Sequence, residues 1–142
     1  VKQETQNPIH AFNYMQAASN LERIADHAHR IAQIAREYNC TLADDLKEEL
    51  MDMEVQLCGF IDDAISYLLQ TNSDKANEMI DLIREIQKSA ARITVTSDSL
   101  GKSEMLERLV LAASLERMFD YIMNIGELTI NLSHSTKQAE KG

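Results

Sequence analysis

The run from Leu111 to Leu132 places an apolar or small side chain at Leu111, Leu115, Met118, Ile122, Ile125, Thr129 and Leu132. Steps alternating between four and three residues keep these side chains on one side of an α-helix, as the seam of a bundle packed knobs-into-holes. A half-buried strand would need alternation every second residue, and no stretch of the chain holds that pattern over a useful length. Moving 94 positions upstream gives Ala17, Leu21, Ile24, Ala28, Ile31, Ala35 and Tyr38, the same stripe. Between Ala18–Ala32 and Ala112–Gly126, 6 of 15 positions are identical: Ala18, Leu21, Glu22, Arg23, Asp26 and Ile31 in the first copy. The chain therefore carries one helical unit twice, at a period too long for a solenoid.

With 4 Gly and 1 Pro in 142 residues, there are few points where a long helix must break. Four helices are predicted. The first runs from about Ile9 to Tyr38, behind Pro8, a position that tolerates proline. Thr41 with Asp44 resembles a capping box and opens a second helix lasting to about Gln70. Ser73 is the expected cap of a third, reaching about Ile93. The fourth follows Gly101 and extends to roughly Ser133, and the polar tail from Ser135 is expected to fray. Short links between long helices make neighbours antiparallel, so the expected fold is all-α, with four long antiparallel helices. The 7 Met fall at seam-like positions and read as core filler.

Charge narrows the functions. A net charge of -9 disfavours nucleic acid, whose phosphates require a basic face, and an anionic membrane surface as well. No uncharged apolar run approaches the roughly 20 residues of a membrane span, so direct membrane insertion is not expected. Cys40 and Cys58 show neither CxxC nor metal-finger spacing, and two lone thiols suit a reducing, cytoplasmic setting. The sequence begins at Val1 and is expected to be part of something longer. It holds no GxSxG, no Gly-rich phosphate loop and no Cys with a placed His, so nucleophilic catalysis is not expected.

The repeat duplicates a pair of acids. Glu22 and Asp26, and again Glu116 and Asp120, stand four apart on one helix face beside the apolar seam. Like charges at this spacing cost a helix about 0.2–0.5 kcal/mol, so helix stability alone would not select them twice. Arg23 or Arg30 can neutralise Asp26, and Arg117 can neutralise Asp120, for about 0–1 kcal/mol at exposed sites. Glu22 and Glu116 have no such neighbour on their own helix. The alternative is a hard-cation site, since converging carboxylates supply oxygen ligands to magnesium, calcium, manganese or iron. Asp26 and His29 also have the i, i+3 spacing of carboxylate-bridged di-iron bundles, but Tyr121 and Met123 replace the histidines in the second copy. A metal oxidase is therefore the weaker reading, and the histidines read as polar residues at a bundle margin.

The stretch "NLERIADHAHRIAQIA" closely resembles the signature helix of the PhoU family of phosphate-uptake regulators. Leu21, Glu22, Arg23, Ile24, Ala25, Asp26, His27, Ala28, Ile31 and Ala32 all fit that signature. "LERMFDYIMNIGE" resembles a second, decayed copy, in which Phe119 and Tyr121 depart. The resemblance implies two three-helix units, each closing with the signature helix. Residues 1–40 would be the third helix of the first unit and residues 41–142 the complete second unit. It implies a non-enzymatic regulator of phosphate homeostasis acting by metal-dependent protein contact. A cytoplasmic domain of a sodium–phosphate cotransporter is the alternative. The implied metal ligands are Glu22, Asp26, Glu116 and Asp120, with Asp81 from the preceding helix, where Asn77 takes the place of a second acid. The implied cofactor is a divalent or trivalent metal: iron, zinc or magnesium. The implied partners are the ATPase of the phosphate ABC transporter and the associated sensor histidine kinase. The first helix would lack two partners of its own unit, from which a homo-oligomer is expected.

Overall fold

The computed structural model describes residues 8–37, 44–90 and 101–139, and these form four helices with no strand among them. Helix α1 spans Pro8–Glu37, α2 Asp44–Gln70, α3 Ser73–Ala90 and α4 Lys102–Ala139. Helices α2, α3 and α4 pack together, and α1 lies along α4. The expected all-α, antiparallel architecture is what the chain adopts. The Thr41 cap, the end of the first helix at Tyr38 and the last turn of the third to Ile93 lie outside the described residues.

The seam of α4 is the core. Ile122, Ile125, Thr129 and Leu132 are fully buried, with Leu115 and Met118 nearly so. Each fully buried aliphatic side chain contributes about 1.5–3 kcal/mol relative to its exposed state. Phe119, a departure from the signature, is also fully buried and meets the Phe60 ring of α2 edge-on, with centroids 6.5 Å apart. On the α3 side the contact closes on Gly126. A Cβ there would stand 3.0 Å from the Ile80 side chain and 3.1 Å from that of Met79, so any larger residue would require both side chains to give way.

The link between α2 and α3 is two residues long. Thr71 adopts φ 54°, and its N–H donates to the Leu68 carbonyl at 3.1 Å while that of Asn72 donates to Tyr67 at 2.9 Å. This is a Schellman turn, completed by a β-branched residue in the left-handed region where glycine is usual. The cap of α3 is Asn72 rather than the expected Ser73: the Asn72 side-chain oxygen accepts from the Lys75 N–H at 3.2 Å. Asparagine caps as well as serine, and Ser73 is left to accept from the Ser133 hydroxyl on α4 at 3.3 Å.

Two further expectations are corrected. Helix α4 continues past Ser133 to Ala139. A polar sequence without Gly or Pro has nothing to stop it, and Ser135 and Thr136 donate back to the Asn131 and Leu132 carbonyls at 3.0 Å. The methionines divide: Met53, Met79 and Met118 are buried, whereas Met15, Met51 and Met105 are exposed. Their spacing matched a seam, but no neighbouring helix among the described residues covers those faces.

The two repeat copies meet each other. His27 and Tyr121, equivalent positions 94 apart, face one another across α1 and α4 with ring centroids 5.9 Å apart. On one side of that pair Asn124 donates to Asn20 at 3.2 Å; on the other, Ile34 and Val110 line the same groove. Helices α1 and α4 thus pack antiparallel about a local two-fold running close to His27 and Tyr121.

Candidate functional site

The acid couples inherit their placement from the seams. Glu116 and Asp120 follow the buried Leu115 and Phe119 by one position, which sets them on the rim of α4. Glu116 is exposed, and the Asp120 side chain is 36% exposed, held where α3 crosses α4. The Gln87 amide donates to the Asp120 carboxylate at 3.0 Å and to the Glu116 backbone carbonyl at 3.4 Å. Arg117 closes on the other Asp120 oxygen at 3.5 Å. Asp120 is therefore the most engaged carboxylate of the four.

Glu22 and Asp26 are exposed on α1 and form no ion pair among the described residues. The expected arginine partner is realised for Asp120 and absent for Asp26. Asp81 stands apart from both couples. Its side chain is 78% exposed and pairs with Arg84 at 3.4 Å on the solvent face of α3. It lies six positions before Gln87, roughly 9 Å along the helix axis at 1.5 Å per residue. The structure brings Glu116, Asp120, Arg117 and Gln87 together. It does not bring Asp81, Glu22 or Asp26 to them.

Two residues of this region were not legible as site residues. Gln87 sits one turn after the buried Ile83, and a polar residue on the packing stripe of a helix was the available signal. His27 reads in sequence as marginal, yet its Nδ1 is buried without a hydrogen-bond partner beside Tyr121. An open groove of 290 Å³ lies between the end of α1 and the start of α4, lined by Arg30, Ile34, Glu37, Leu106 and Val110 among others.

The fit to a metal is partial. Hard cations take six or more oxygens and structural zinc takes four donors. Each couple supplies two carboxylates one turn apart, and among the described residues no three His, Cys, Asp or Glu side chains are grouped to hold an ion. Each couple is at most part of a shell. No helix among the described residues is long and apolar enough to cross a membrane.

Comparison with known proteins agrees with the first copy of the signature. The PhoU domain model matches residues 2–35. A curated relative from Clostridium acetobutylicum, a phosphate-specific transport system accessory protein PhoU homolog, is 26% identical over 127 residues. That alignment covers 85% of this chain, and the chain spans 58% of the length of the relative. No solved structure matches the chain.

Proposed function

We propose that the chain is a PhoU-like regulator of phosphate uptake that acts by protein contact rather than by catalysis, a reading supported by its similarity to the PhoU domain over residues 2–35 and to a curated PhoU homolog. The observation that carries this reading is the duplicated acid couple, built on the same helix whose first copy matches the family. The couples are exposed or half-exposed on long helices, suited to being read by a partner. The proposed partners are the ATPase of the phosphate ABC transporter and its sensor histidine kinase, met in the cytoplasm. The chain is proposed to work as a homo-oligomer, and its units are proposed to divide at residues 40 and 41.

Metal dependence is part of the same proposal in restricted form. Two carboxylates do not complete the shell of iron, zinc or magnesium, so Glu22 with Asp26 and Glu116 with Asp120 are proposed to bind such an ion jointly with donors from outside each couple. Asp81 would join them only by leaving Arg84. A bound cation would offset the like-charge repulsion within a couple and present positive charge to an acidic partner surface.

The test is calorimetric titration of the chain into the purified transporter ATPase, with and without chelator. Saturable binding that weakens at least tenfold in chelator is the expected result. Saturable binding indifferent to chelator would remove the metal and leave the contact. No binding to the ATPase under either condition would remove this partner.

A further inference from the structure

Helix α3 meets α4 at three levels. Near its start the Ser133 hydroxyl donates to that of Ser73 at 3.3 Å. Midway, Met79 and Ile80 close on Gly126. Further on, the Gln87 amide donates to the Asp120 carboxylate at 3.0 Å and to the Glu116 carbonyl at 3.4 Å. Ser73, Ile80 and Gln87 are seven residues apart, two helical turns, so one face of α3 runs down α4 from Ser133 to Gly126 to Asp120. The ion pairs Lys75–Glu78, Asp81–Arg84 and Glu85–Lys88 each close within α3, and all six side chains are more than half exposed. They brace the helix and not its contact with α4.

The two oxygens of Asp120 are held differently. Oδ2 faces Arg117 at 3.5 Å, a pair on one helix and partly in solvent, of the kind that contributes little. Oδ1 accepts from Gln87, a half-buried side chain on another helix, and a hydrogen bond to an ionised acceptor is stronger than one between neutral groups. The opposite turn of the amide would set its oxygen against two acceptors, so this contact requires the donating orientation. Because Nε2 reaches both Asp120 Oδ1 and the Glu116 carbonyl, it stands over the turn that separates the two acids of the couple. A cation shared by Glu116 and Asp120 would approach the same turn and meet the positive end of the amide. The two repel, so the ion gains Oδ1 only as Gln87 gives it up.

We infer that Gln87 is a positioning residue that couples the acids to α3: it holds α3 against α4 through Asp120, and a cation taken up by the Glu116–Asp120 couple releases it. The release rests on the cation reading proposed above; the hold does not. Occupancy of the couple is thereby converted into a looser second half of α3, while the Ser73 and Gly126 contacts keep the first half in place.

The experiment is amide hydrogen exchange on the whole chain, first in chelator and then with zinc chloride alone, with Cys40→Ser and Cys58→Ser in every protein so that thiols take no zinc. In chelator, Gln87→Leu is expected to speed exchange of the amides of residues 84–88 at least threefold and to leave residues 76–80 unchanged. Gln87→Glu combined with Asp120→Asn moves the amide to α4 and the carboxylate to α3, and is expected to restore slow exchange. Zinc is expected to speed residues 84–88 in the Gln87-containing protein and to add nothing in Gln87→Leu. Calorimetry is expected to show zinc held at least threefold tighter by Gln87→Leu, the heat of this site being the part lost in Asp120→Asn. Equal exchange in chelator with and without Gln87 overturns the hold. Zinc bound more weakly by Gln87→Leu overturns the release and makes Gln87 a donor to the ion. Zinc bound by neither protein removes the cation reading and the release with it, and the exchange in chelator then upholds or overturns the hold by itself.

Discussion

Thr71 shows how far a single residue departs from what its local chemistry prefers. Its φ of 54° completes the turn between α2 and α3, a position where a β-branched side chain is strained by about 1–3 kcal/mol. Thr71→Gly is therefore expected to raise stability by about 1 kcal/mol, after the entropy that glycine adds to the unfolded chain. Denaturant titration checks it, and a loss of stability would show that the Thr71 side chain is held by packing. The turn was legible in sequence as a polar break, because "TNSD" between two apolar periodicities has no helical face to offer. Which residue caps it was not, because Asn72 and Ser73 both satisfy an N-terminal amide and only the backbone path chooses. The acid couples were legible for the same reason as the seam, being periodic and repeated. Their environments were not: Asp120 finds Gln87 and Arg117, whereas Asp26, its counterpart 94 positions upstream, lies exposed without an ion pair among the described residues. The Gln87 contact comes from α3, which packs against α4, whereas Arg117 pairs with Asp120 within α4 itself.

At the scale of elements, the helices are set by apolar spacing and their mutual distances by a few small residues. Gly126 is the clearest case, with Ile80 and Met79 filling the space a side chain would need. Gly126→Leu is expected to push α3 from α4 and lower stability by about 1–3 kcal/mol, the usual cost of overpacking. Because Gln87 reaches Asp120 across that same contact, a folded Gly126→Leu protein is also expected to loosen this hydrogen bond. Thermal unfolding reads the first effect, and an unchanged midpoint would mean that Ile80 swings aside freely. Helix positions followed from sequence because the 3.6-residue period is strong over 18 to 38 residues. The end of α4 did not, since polarity marks solvent exposure and not helix termination. The exposed methionines were also misplaced, because periodicity says which face is apolar and not whether a neighbour arrives to cover it.

At the scale of the whole molecule, one helical unit appears twice and receives different company each time. The second copy is wrapped by α2 and α3 and makes the core. The first copy leans on the second through His27 and Tyr121 and leaves a flank open. Phosphate uptake by bacteria lacking their own PhoU protein, measured with the chain supplied at matched expression, tests that role directly. The expected result is a reproducible change in uptake rate with the wild-type chain, most of it lost with Glu116→Gln and Asp120→Asn combined. Uptake indistinguishable from empty vector, from a chain that is folded and abundant, would contradict the role in phosphate regulation.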